Sequence, residues 1–396
     1  MYQSQVQQAI DSISAQGNEF FANTVDRGQL LSQSQKVLQN LDSDVQRIKT
    51  EGAILFAPAT NTEVAGQKIA EAFDKWRENP PSTVALMIVA AEKFGIDMDS
   101  PNFKGALMTG LASQVRHDNA YHDTSHFREV TAVMVRLVGA NNELAATGTK
   151  GTELLDGNDI AKCLACAASH DLLHDGKGNT VGGVHEQYRL ENKAIGAAEP
   201  FMKLAGVSEK DMEDIRVMIR ITDISADNSK KPEERIPSPH RQLRAAYAEA
   251  YEGGKPAVVQ PELEALRKDP KLLVVAAMMS DADLGPSAAT DYAFSRKMTG
   301  LVAKETPALS DSDITLKGFM QFVVDNRFTS QAGTDANGAS LKGIFNEASK
   351  RVEAQQALQN KPPVSDAEAS KFGKAIEKIN QAPPATAAKK LPGQKM

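Results

Sequence analysis

Residues 160–179 read IAKCLACAASHDLLHDGKGN, and this stretch decides how the rest of the chain is read. Ile160, Cys163, Leu164 and Ala167 recur at helical spacing and run straight into His170-Asp171. A helix that ends in adjacent His and Asp presents one nitrogen and one oxygen ligand from a single short segment. Upstream lies AYHDTSH (residues 120–126), with His122 and His126 four apart, a spacing that puts both on one face if a helix carries them. Downstream lies MMSDADL (residues 278–284), with Asp281 and Asp283 as competing carboxylates. Six of the seven histidines fall between His117 and His185, a bunching that scattered surface histidines do not show. Two histidines and two aspartates make an N2O2 set, which suits a zinc-type ion and leaves an aspartate to share with a harder second ion. Such a pair of ions equips a site for hydrolysis of a phosphate ester.

Outside these segments the chain reads as helical nearly throughout. Residues 1 to about 50 are Gln- and Ser-rich with Val6, Ile10, Ile13, Leu30, Leu31, Val37, Leu38 and Leu41 at helical spacing. They predict a helical hairpin packed on the body or an interaction segment. Ile69, Phe73 and Trp76 mark a helix closed by Pro80-Pro81, and Val84, Met87, Ile88 and Ala91 mark another. Phe127, Val130, Val133, Met134 and Leu137 follow His126. Met212, Ile215, Met218 and Ile219 form a stripe, as do Leu263, Leu266, Leu272, Leu273 and Met278. Leu316, Phe319, Phe322 and Val323 close the core. The Pro- and Ala-rich end, from about residue 360, predicts a flexible tether with one weak helix over residues 369–379.

Composition narrows the class. The chain has 396 residues, 41% hydrophobic and 24% charged, ordinary for a globular protein. A net charge of −6 argues against a nucleic-acid-coating surface, so an anionic substrate needs local neutralisation. Two cysteines exclude a disulfide framework and fit a reducing compartment. The start has neither a basic nor an apolar signal region, and no run is long enough to span a membrane, so the expected location is cytoplasmic. Cys163-x-x-Cys166 lies inside an apolar stripe and reads as core packing. Gly176, Gly178, Gly182 and Gly183 lack the Lys-Ser/Thr ending of a phosphate loop and read as a flexible mouth.

Taken together, the motifs resemble those of the HD-domain metal-dependent phosphohydrolases, and within them the class I cyclic-nucleotide phosphodiesterases. Tyr121-His122-Asp123 with His126 matches the family's Tyr-His-Asn and following His, with Asp in place of Asn. His170-Asp171-Leu172-Leu173-His174-Asp175-Gly176-Lys177-Gly178-Asn179 matches His-Asp-x-x-His-x-Gly-x-x-Asn at every fixed position. Leu190-Glu191-Asn192, Thr222-Asp223-Ile224-Ser225 and Ala282-Asp283-Leu284 follow in the family's order. Gly318-Phe319 resembles the segment that holds the family's purine-clamping Phe. The likeness covers about residues 65–350.

That resemblance implies an all-α, multi-helix catalytic domain over residues 65–350; composition and spacing add a helical N-terminal extension (1–64) and a flexible tail (351–396). It implies that His126, His170, Asp171 and Asp283 hold a tight zinc, iron or manganese ion, with Asp171 shared with a second magnesium or manganese ion. Asp283 is preferred over Asp281 because the family's Asp stands between Ala and Leu. Hydroxide bridging the ions would attack phosphorus. His122 would be the general acid, with Glu191 or another carboxylate accepting from its ring. His174 would bind metal-held water, and Tyr121, Asn179, Leu316 and Phe319 would line the substrate. Leu316 stands where the family's purine-reading Gln is expected, and Leu has no amide to read a base edge. The expected substrate is a 3′,5′-cyclic nucleotide; the alternatives are a nucleotide monoester, alarmone or other small phosphate, or a non-enzymatic protein that uses this scaffold for binding. A protein partner would engage one of the terminal extensions.

Overall fold

The computed structural model describes residues 2–57, 62–182, 184–225, 231, 235–306 and 308–358; the tail beyond 358, with its expected weak helix, lies outside them. The architecture is all-α. The helices are α1 (Tyr2–Ser14), α2 (Arg27–Glu51), α3 (Glu63–Glu78), α4 (Thr83–Phe94), α5 (Pro101–Ala112), α6 (Thr124–Ala146) and α7 (Gly157–Ser169). After a two-stranded hairpin, β1 (Thr180–Val181) and β2 (Val184–His185), come α8 (Arg189–Ala205), α9 (Glu209–Arg220) and α10 (Pro239–Tyr247). The last are α11 (Ala265–Lys268), α12 (Pro270–Ala288), α13 (Tyr292–Glu305), α14 (Asp313–Phe322) and α15 (Gln331–Leu358).

Local chemistry sets the ends that matter for the site. Asp123 caps α6 by accepting from the backbone N–H of Ser125 and His126. Asp156 and Asp159 form a reciprocal capping box at the start of α7. Asp269 caps α12, and Pro270 occupies its first turn, where a missing N–H costs nothing. That cap divides the single stripe expected over Leu263–Met278 into a 3-10 turn, the short α11 and then α12.

α6, α7 and α12 form the centre. α7 lies against α5, α6 and α9, and α12 against α6 and α10. Their packed faces belong to one continuous core that runs from Val6 to Ala336. The Gln- and Ser-rich start forms the packed hairpin: α1 and α2 bury Val6, Ile10, Ile13, Leu30, Leu41 and Ile48 against α4 and α5. Sequence reading ended the core at Val323, whereas α15 extends it through Ala332 and Ala336. The first half of α15 is rich in Ala, Gly and Ser; its apolar stripe of Leu341, Ile344, Phe345, Ala348 and Val352 begins only past the helix's first ten residues. A second apolar cluster of Leu284, Leu316, Met320, Phe328, Leu341 and Ile344 ties α12, α14 and α15 together. Among the described residues no single helix is long and apolar enough to cross a membrane.

Candidate metal centre

His126 stands in the first turn of α6, His170 caps the C-terminus of α7, Asp171 follows it, and Asp283 comes from α12. One ligand atom from each lies within 4.8 Å of all the others. His126 Nε2 is 3.3 Å from both an Asp171 oxygen and an Asp283 oxygen, and His170 Nε2 is 3.2 Å from each. Four ligands held tetrahedrally at about 2.0 Å from an ion stand about 3.3 Å apart, and the cluster's four N–O edges have that length. The His170 ring is oriented by its own helix, Nδ1 lying 3.1 Å from the Ala167 carbonyl, which turns Nε2 toward the carboxylates. His126 is 1% exposed, and neither of its buried ring nitrogens makes a hydrogen bond. Its Nε2 faces the two carboxylates at 3.3 Å without a well-formed hydrogen bond, a setting that a bound cation would complete.

The electrostatics point the same way. Burial works against charge on His126, but Asp171 and Asp283 outweigh it and raise its pKa to about 9. They push His170 up as well, against its burial. In return, burial raises the Asp283 carboxyl while His126 and His170 pull it down to about 2. Asp171 is held well below the usual carboxylate range against its own burial, first by His170. The site draws positive charge to itself, and a divalent cation meets that demand.

Asp281 does not compete for the ion. Its oxygens accept from Thr329 N (2.7 Å), Ser330 N (2.7 Å) and the Ser330 hydroxyl (2.6 Å), which fixes the chain entering α15.

A second group lies alongside. His122 precedes the α6 cap, so it does not share a helical face with His126 as their spacing predicts; Asp123 starts the helix between them. Its Nε2 is 4.0 Å from Asp171, and its Nδ1 is 2.6 Å from Glu305, the last residue of α13. Glu305 also accepts from the backbone N–H of Tyr121 and, at 3.0 Å, of His122. Burial raises the Glu305 carboxyl, but its bond and attraction to His122, with the backbone N–H groups of Tyr121 and His122, together outweigh it and bring it to about 2. His174 stacks on His122 at 3.9 Å with the rings 21° apart. Burial, then the neighbouring His122, lowers His174 to about 3 and keeps it neutral.

The carboxylate on His122 is therefore Glu305, and Glu191 is engaged elsewhere. Glu191 accepts from the Asn179 amide at 2.9 Å, and burial followed by repulsion from Asp223 pushes it well up. Asn179 in turn accepts from Leu190 N at 2.9 Å, so it is buried and bound within the protein. Nothing in the sequence around Glu305 marks it, since its partner is 183 residues away. Tyr121 is buried with its hydroxyl 3.4 Å from Ser287. Leu316 is completely buried in the second apolar cluster, whereas Phe319 sits half-buried at its edge. Cys163 and Cys166 are free, buried thiols, and burial raises both; that of Cys163 rises to about 12.

No protein-family model and no curated protein sequence matches the chain. Solved structures with a similar course of the backbone include the phosphodiesterase domain of the RhoPDE fusion protein from the choanoflagellate Salpingoeca rosetta. It is 17% identical, with a TM-score of 0.45, over 73% of this chain and 92% of that one. The phosphodiesterase domain of the rhodopsin phosphodiesterase of Salpingoeca rosetta is 17% identical, with a TM-score of 0.44, over 74% and 90%. LmjPDEB1 in complex with IBMX is 14% identical, with a TM-score of 0.49, over 81% and 98%.

Proposed function

We propose that the protein is a metal-dependent phosphoester hydrolase, and that a 3′,5′-cyclic nucleotide is its first substrate to test. The observation that carries this reading is the set of four N–O edges of 3.2 and 3.3 Å among His126, His170, Asp171 and Asp283, beside an imidazole held by its own carboxylate. In this reading those four residues hold a zinc, iron or manganese ion, and Asp171 also contributes to a magnesium or manganese ion. When bound, the ions neutralise phosphate charge and make water acidic enough to act as a nucleophile near neutral pH.

The remaining work falls to the chain. Glu305 fixes the His122 ring through Nδ1 and leaves Nε2 facing the cluster, 4.0 Å from Asp171. From there His122 delivers a proton to the departing alkoxide, which leaves poorly without one. Neutral His174, stacked on His122, supports that ring without competing for its charge. Phe319 offers a half-buried ring for stacking, and the Tyr121 ring lies against those of His122 and His126. A nucleotide monoester or other small phosphate is the second reading. Leu316 favours it, because a fully buried aliphatic side chain leaves the base edge unread.

The test is a panel of phosphate esters, cyclic nucleotides included, against the purified full chain whose metal content is measured by elemental analysis. The expected result is about two divalent ions per chain and hydrolysis of a cyclic nucleotide that stops on chelation. Metal-replete protein that hydrolyses no member of the panel overturns the reading.

A further inference from the structure

His174 and Asn179 bracket a loop that has little to hold it in place. Leu173 turns into it with φ 61°, a left-handed conformation unfavourable for leucine. Leu173 packs against the core, but beyond it Asp175, Lys177 and Gly178 are exposed and no apolar side chain anchors residues 174–178. Its ties are polar, and most end on one side chain. Arg189, in the first turn of α8, donates to Asp175 Oδ2 at 2.7 Å and Oδ1 at 2.9 Å. It also donates to the Gly178 carbonyl at 2.9 Å and the Lys177 carbonyl at 3.3 Å. The guanidinium is only 10% exposed although its partners face solvent. Lys193, one turn further on, adds a 2.7 Å contact to Asp175. From the inner side the same turn of α8 grips Asn179 through Leu190 N and Glu191.

We propose that Arg189 is a positioning residue: it clamps residues 175–178 so that His174 stays stacked on His122. A planar fork that bridges a carboxylate and two carbonyls fixes both the position and the tilt of the loop, which an ammonium does not. Asn119 donates to the His174 carbonyl at 2.8 Å and holds one point, while the Gly176 N–H donates to His174 Nδ1 at 3.1 Å, so the ring follows wherever the clamped loop goes. The kinetic part of this inference rests on the hydrolytic reading above; the structural part stands alone.

The test compares wild type with Arg189→Ala, Arg189→Lys and the charge exchange Arg189→Asp with Asp175→Arg. In Arg189→Ala, amide hydrogen exchange at residues 174–178 is expected to rise while metal content stays at the wild-type level. Misplacing His174 is expected to lower kcat by about tenfold to a hundredfold and leave KM within about twofold. Arg189→Lys should fall between, and the charge exchange, which restores the ion pair but leaves the Lys177 and Gly178 carbonyls without their donor, should recover only part of the lost kcat. Unchanged exchange in the loop overturns the clamp. So does an unchanged kcat in folded, metal-loaded Arg189→Ala. If Arg189→Ala does not fold, Arg189→Lys and Asp175→Asn supply the same two readouts. If wild type hydrolyses no phosphoester, the hydrolytic reading fails and the exchange data alone decide on the clamp.

Discussion

α7 and α12 carry a polar cluster at each end, and the two clusters are built to opposite rules. At one end His170, Asp171 and Asp283 meet His126, and the carboxylates face imidazoles. At the other, the Lys162 ammonium lies 2.9 Å from Asp214, 3.3 Å from Asp211 and 3.6 Å from Asp159, and Lys271 adds a 2.8 Å pair to Asp159. The carboxylates there already have cations supplied by the chain. That end also borders a cavity of about 240 Å³, yet its polar groups satisfy one another. The lesson is that space alone does not identify a site. At the histidine end Asp171 and Asp283 pair with imidazoles, groups that can ligate a metal in place of a proton.

The comparison breaks if the two ends respond alike to mutation. Asp171→Ala should remove bound metal and lower turnover by roughly 10⁴-fold; elemental analysis and steady-state kinetics check both. Retained metal would erase the distinction between the ends. His122→Ala should keep the metal yet lose about 10²–10⁴-fold in turnover. That loss should shrink with a p-nitrophenyl phosphodiester, whose leaving group needs no proton.

Lys162→Met addresses the other end. Removing the one ammonium shared by three carboxylates should cost about 3 kcal/mol of stability while metal content stays fixed. Its pH dependence follows from the sign of the shift. Burial opposes the charge, but Asp214 and its neighbours raise the Lys162 pKa above the ordinary 10.5. The stabilisation is therefore complete below that value and is lost as pH rises through the raised one. Urea midpoints between neutral and strongly alkaline pH should fall in wild type and fall less in Lys162→Met.

Smaller effects sharpen the catalytic end. Glu305→Gln should cost about tenfold in turnover, as for a group that orients another, with little change in metal. Smallest of all is base discrimination: kcat/KM for cAMP and cGMP should agree within about tenfold, because an amide pair that could separate them by about 1–3 kcal/mol is replaced by Leu316. A larger preference would place base reading on another side chain.

Legibility from sequence tracked the range of the interaction. His170-Asp171 was readable because an apolar helical stripe runs directly into it, and the all-α class because such stripes recur along the chain. The choice of Asp283 over Asp281 rests on resemblance alone; in the structure Asp281 accepts three bonds at the start of α15, while Asp283 lies beside His126 and His170. Glu305 was hidden, since it meets His122 only through the packing of α13, and Glu191 was named instead for its place in a motif. α15 was missed because its first half offers only small residues to α6 and α12, while its apolar stripe of Leu341, Ile344, Phe345, Ala348 and Val352 starts late in the helix.

The two aspartates of α12 also bear on how this chain can change over generations. Residues two apart on a helix point about 200° from each other, so Asp281 faces the α15 entry while Asp283 faces the histidines. Gain or loss of one residue between them would turn one carboxylate by about 100° and uncouple anchor from ligand. Before Asp269, where exposed residues 253–256 and short turns lead into the helix, a length change shifts nothing that the cluster depends on. Insertions and deletions should therefore accumulate ahead of the α12 cap and be purged within its last two turns.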